Sequence, residues 1–116
     1  DHWITPIGEN RRFDTRFFVT LAPSDQEGLH DDKETVESLW VRPQDALEMH
    51  ARGDLMMLPP TIYNLQFLAE HGSAADAIAA GEARTDVPCI LPKMRTDDAG
   101  KFIGIALPGD PDYDML

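Results

Sequence analysis

The sequence predicts an α+β unit: two or more strands, three successive helices, then a hairpin. Three observations carry that expectation. Residues 12–21 alternate apolar and polar positions with the period of a strand. Residues 44–80 hold three segments of helical spacing punctuated by Pro and Gly. Two β-prone runs, 87–94 and 101–106, flank the turn sequence Asp97-Asp98-Ala99-Gly100.

Within residues 12–21, Phe13, Thr15, Phe17, Val19 and Leu21 fall on one face, and Asp14, Arg16, Phe18 and Thr20 on the other. Phenylalanines on both faces suggest a central strand covered on both sides. Residues 22–33, with Pro23, Gly28 and Asp31-Asp32, read as a loop. A second strand is expected over 35–41, where Val36, Leu39, Trp40 and Val41 supply β-prone bulk, and Arg42-Pro43 ends it. Residues 44–52 follow as a short helix, with Pro43 near its first turn and Gly53 placed to stop it. Leu58-Pro59-Pro60-Thr61 opens a longer helix through about residue 70, with Ile62, Leu65 and Leu68 as its apolar stripe. Ser73 is placed to cap a third helix, expected to end at Gly81. Strands this apolar need more sheet neighbours than the chain supplies. A second polypeptide beside it, or a homo-oligomer, is therefore expected.

The 116 residues suffice for one domain, 1–116. Ten basic residues against 21 acidic ones leave a net charge of -11, which argues against nucleic acid or an anionic membrane as partner. No apolar run approaches the roughly 20 residues of a membrane span. A single cysteine, Cys89, allows no internal disulfide, and Asp1-His2-Trp3 does not resemble a secretory leader, so a cytoplasmic protein is expected. Cys89 sits in an apolar stretch and reads as a core residue.

Chemistry concentrates in two places. Arg11, Arg12 and Arg16 are three of the ten basic residues and surround Asp14. Guanidinium forks bind two oxygens of a phosphate or carboxylate at once; the same residues also suit an Asp–Arg ion pair that fixes strand register. Asp31, Asp32, Glu34 and Glu37 precede Trp40. Carboxylates there suit Mg²⁺ or an attacking water, or form a solvated acidic loop. His2, His30, His50 and His71 are scattered and make no zinc pattern.

Taken in order, Trp3-Ile4-Thr5-Pro6, Arg11-Arg12-Phe13-Asp14-Thr15, Glu34 six residues before Trp40, Trp40-Val41-Arg42-Pro43 with Ala46-Leu47, Leu58-Pro59-Pro60 and Leu107-Pro108-Gly109-Asp110 resemble one family. That family is the Nudix hydrolases, in the branch of the peroxisomal coenzyme A diphosphatases, over the portion downstream of the Nudix box. The resemblance implies an α/β/α sandwich with a mixed sheet, hydrolysis of a nucleoside-diphosphate-linked compound such as a coenzyme A species, and Mg²⁺ or Mn²⁺ as cofactor. It implies that Arg11 and Arg12 contact substrate phosphates, that Asp14 orients them, and that Glu34 acts as base or extra metal ligand. The box itself carries Arg-Glu and Glu-Glu dipeptides, and neither occurs in the 116 residues. The expectation is the substrate-side part of such an enzyme, with the box-bearing half elsewhere. A catalytically inactive Nudix-like binding or interaction module is the alternative.

Overall fold

The computed structural model describes residues 1–28, 33 and 37–116. They form two compact units, Asp1–Phe18 with Thr85–Leu116, and Val19–Arg84.

In the first unit, β1 (His2–Ile4) lies between β2 (Asp14–Arg16) and β3 (Cys89–Ile90). It pairs antiparallel with β2, through Trp3↔Thr15 and Ile4↔Asp14, and parallel with β3, through Trp3↔Ile90. The sheet is therefore mixed. Trp3, 3% exposed, anchors its inner face, while Asp14 and Arg16 on the alternate face are exposed. A second sheet is the hairpin of β4 (Lys93–Thr96) and β5 (Phe102–Ala106), with Ala106 fully buried. Asp97 builds its turn: Oδ1 accepts from Ala99 N at 3.0 Å and Lys101 N at 2.8 Å, and Gly100 takes a φ of 77° that a side chain would resist.

The second unit packs α1 (Pro43–Ala51) on α2 (Pro59–Ala69), and α2 on α3 (Ala74–Glu82). Prolines occupy the first turns of α1 and α2, where a missing N–H costs nothing. Ser73 caps α3 by accepting from Asp76 N at 3.2 Å. The C-terminus of α1 closes as a Schellman motif: Asp54 N donates to Met49 O at 2.9 Å and Gly53 N to His50 O at 3.0 Å. Ala46 of α1 and Ala77 of α3, each 2% exposed, are the buried residues of this unit among those described.

Four expectations need correction. The strand expected over 12–21 is confined to Asp14–Arg16 and is an edge strand among the described residues, not a central one. Its ladder runs one residue further, with Phe17 N donating to Asp1 O at 2.7 Å, and then finds no partner among the described residues; Phe18 is 88% exposed. Residues 37–41 of the second expected strand form no regular element, and 35–36 lie outside the described residues. α3 runs through Gly81 to Glu82 instead of stopping at the glycine. The run 87–94 divides between two sheets. Pro92 follows β3, has no ladder donor, and separates it from β4.

Candidate functional site

The loop between β1 and β2 carries the arginines. Its two ends are fastened where Thr5 meets Phe13. Thr5 N donates to Phe13 O at 3.0 Å, and Phe13 N donates to Thr5 Oγ1 at 3.0 Å. Trp3-Ile4-Thr5-Pro6 and Arg11-Arg12-Phe13-Asp14-Thr15 are thus neighbouring limbs of one structure, although distinct motifs in the sequence.

Arg12 is exposed, and its guanidinium is held at one point: Nε donates to the Thr5 carbonyl at 3.1 Å. Its two terminal nitrogens have no partner among the described residues. Arg11 is exposed, with no side-chain partner among them. Asp14 does not reach either arginine. Its Oδ1 lies 2.5 Å from His2 Nε2 and 3.9 Å from Arg16 Nη1. Orientation of Arg12 comes instead from Thr5. Thr5 and His2 were visible only as members of a motif and of a scattered set, because their roles depend on cross-strand register. Cys89 is exposed, not a core residue, with Sγ 3.9 Å from His2 Nε2.

Asp31, Asp32 and Glu34 lie outside the described residues; Glu37 is exposed. Among the described residues no group of three or more His, Cys, Asp or Glu is placed to hold a metal ion.

The Leu107-Pro108-Gly109-Asp110 segment is a structural turn. Asp110 N donates to Leu107 O at 2.9 Å, and Asp110 Oδ2 accepts from Leu107 N at 3.0 Å. Arg95 clamps it, bonding Asp110 Oδ2 at 2.9 Å, Asp112 Oδ2 at 2.6 Å and Asp112 Oδ1 at 2.7 Å, and donating also to the Ile105 carbonyl. These hydrogen bonds from Arg95 hold the Asp112 carboxyl below the usual carboxylate range, and by accepting them Asp112 and Asp110 raise the guanidinium in turn. An arginine so satisfied has little left for a substrate. A groove on the second unit, lined by Gln44, Leu47, Gln66, Ala69 and Glu70, offers no cation to a phosphate. The β1–β2 loop is therefore the better candidate for anion binding.

Residues 1–68, the stretch containing both this loop and Glu34, match the family described as the NUDT19 Nudix domain. The chain belongs to that family. It is 31% identical to the acyl-coenzyme A diphosphatase NUDT19 of Gallus gallus over 125 residues, covering 97% of this chain and 32% of the relative. It is 33% identical to the Homo sapiens protein of the same name over 76 residues, covering 64% and 20% of the two chains. The Xenopus laevis protein is 32% identical over 71 residues, covering 58% and 19%. The chain thus spans about a third or less of the length of the curated relatives it matches. No solved structure matches it. Membership of the Nudix superfamily, in its coenzyme A diphosphatase branch, agrees with the mixed sheet and three helices of an α+β fold.

Proposed function

We propose that this chain is the substrate-side part of a metal-dependent Nudix hydrolase that cleaves a nucleoside-diphosphate-linked compound, such as a coenzyme A species. The observation that carries the reading is Arg12: a guanidinium tethered at Nε, with both terminal nitrogens free among the described residues to fork onto two phosphate oxygens. Arg11 adds a second positive charge at the mouth of the same loop. Asp14, the first residue of β2, is engaged with His2 across the strand pair. Glu34 is assigned the role of general base toward the attacking water, or of extra metal ligand. Mg²⁺ or Mn²⁺, when bound, would neutralise charge developing on the phosphoryl oxygens. Its main ligands are assigned to a Nudix box outside these 116 residues.

The names of the relatives support the substrate class, and the net charge of -11 supports a small-molecule partner over nucleic acid. No described helix is long and apolar enough to cross a membrane. A cytoplasmic location is a separate part of the proposal. Phe13 at 62% and Phe18 at 88% exposure favour a partner surface, either the box-bearing polypeptide or a second copy of this chain.

The test is Arg12→Ala in the full-length protein, with coenzyme A and Mg²⁺. KM is expected to rise by on the order of tenfold or more, as for loss of a charge-assisted hydrogen-bond pair. The melting temperature should hardly move. An unchanged KM with a large fall in melting temperature would make Arg12 a structural residue and remove the main support for the reading. The second reading is a non-catalytic binding module. Coenzyme A binding by the full-length protein without any metal-dependent turnover would select it.

A further inference from the structure

We propose that Thr5 is the positioning residue for Arg12, and that its hydroxyl acts by relieving its own carbonyl of a backbone donor. The proposal rests on the reading of Arg12 as a phosphate contact.

Opposed residues of an antiparallel pair, where hydrogen-bonded, exchange two N–H···O=C bonds. Thr5 and Phe13 come next in register after Ile4↔Asp14, and the first of their bonds is in place: Thr5 N donates to Phe13 O at 3.0 Å. The return bond is diverted. Phe13 N donates to Thr5 Oγ1 at 3.0 Å, not to the Thr5 carbonyl. The hydroxyl in turn donates to Phe13 O at 3.4 Å. The Thr5 carbonyl is thereby left for Arg12, whose Nε donates to it at 3.1 Å.

A hydroxyl is needed for this exchange, because it accepts one bond while giving another. Valine has nearly the same shape and accepts nothing. In Thr5→Val the Phe13 amide must turn to the Thr5 carbonyl or to water. The first choice puts it in competition with Arg12 Nε, and the second loosens the junction that sets the loop. Either way the guanidinium loses its fixed direction, and substrate must then order it. Serine keeps the hydroxyl and should keep the arrangement.

The experiment uses the full-length protein, with wild type, Thr5→Val, Thr5→Ser, Arg12→Ala and the Thr5→Val/Arg12→Ala pair. With coenzyme A and Mg²⁺, Thr5→Val is expected to raise KM by about three- to tenfold with kcat little changed, the scale of one hydrogen bond to a charged group at an exposed position. Thr5→Ser should stay close to wild type. In the Arg12→Ala background Thr5→Val should add nothing, because its effect passes through the guanidinium. Additive effects, or an unchanged KM in Thr5→Val while Arg12→Ala raises it, would overturn the role of Thr5 and leave the proposed function standing. An unchanged KM in Arg12→Ala would overturn both. A readout independent of turnover is the Arg12 Nε–H signal in the NMR spectrum. It should move in Thr5→Val and return in Thr5→Ser, and a signal that ignores both changes would refute the geometry. If Thr5→Val does not fold, Thr5→Ala serves in its place.

Discussion

The same substitution, glycine to alanine, is expected to have opposite signs at two places in the helical unit. Gly53 follows the C-cap of α1 with a φ of 82°, and a Cβ built there meets nothing within 4 Å. Steric clash with the surroundings is thus absent, and the cost is the backbone's own. A left-handed conformation costs an L-residue roughly 1–2 kcal/mol. Part of that is offset because alanine restricts the unfolded chain more than glycine does. The net expectation for Gly53→Ala is a loss of about 1 kcal/mol. Gly81 lies inside α3, and its Cβ would sit 3.4 Å from Val19 Cγ1, an ordinary van der Waals contact. There the helix-propensity term acts alone, and Gly81→Ala should gain roughly 0.5–1 kcal/mol. Equilibrium urea unfolding, with the slope held common, reads both. Equal shifts of one sign would refute the reasoning, since they would mean that the local φ does not decide the outcome. A gain at Gly53 would further show that the Schellman geometry of α1 is not held in solution.

The Arg95–Asp112 pair makes a pH prediction. Because the folded Asp112 carboxyl titrates below its ordinary value, its contribution is present above the unfolded pKa, about 4, and is lost as pH falls through the folded one. Asp112→Asn should therefore lose less stability than wild type on acidification below about pH 4, and parallel stability curves would remove the pair from the account. In the full-length protein, Glu34→Gln should lower kcat by at least about tenfold with the melting temperature kept, as for a general base. A wild-type kcat and pH–rate profile would take Glu34 out of the site.

Helices were more legible in the sequence than strands, for a physical reason. The prolines that open α1 and α2 and the Ser73 cap of α3 are local signals, and their partners lie within a turn. A three-residue strand has no such internal evidence. β1 is set by partners at Asp14–Arg16 and at Cys89–Ile90, the second more than eighty residues away. The phenylalanines of residues 12–21 suggested burial on both faces, yet Phe13 and Phe18 stand exposed, because alternation reports which side a residue faces and not whether anything covers it. Gly81 misled for the opposite reason. Glycine is a helix stop when it takes the left-handed conformation itself, and Gly81 does not, so α3 continues to Glu82.

The candidate site was legible as a list of residues and not as an arrangement. Arg12 and Asp14, two positions apart, looked like partners for each other, since opposite charges so close invite an ion pair. Register decides otherwise. Asp14 stands opposite Ile4 and reaches His2 two residues back along β1, while Arg12 lies past the end of the ladder and turns to the carbonyl of Thr5. The carboxylate thus has a histidine of its own to satisfy it. The arginine keeps its terminal nitrogens unspent among the described residues because a neutral carbonyl, not a carboxylate, holds it. A phosphate-binding guanidinium needs that combination: fixed in direction by one weak bond, without the competing anion that would have to be displaced before substrate could bind.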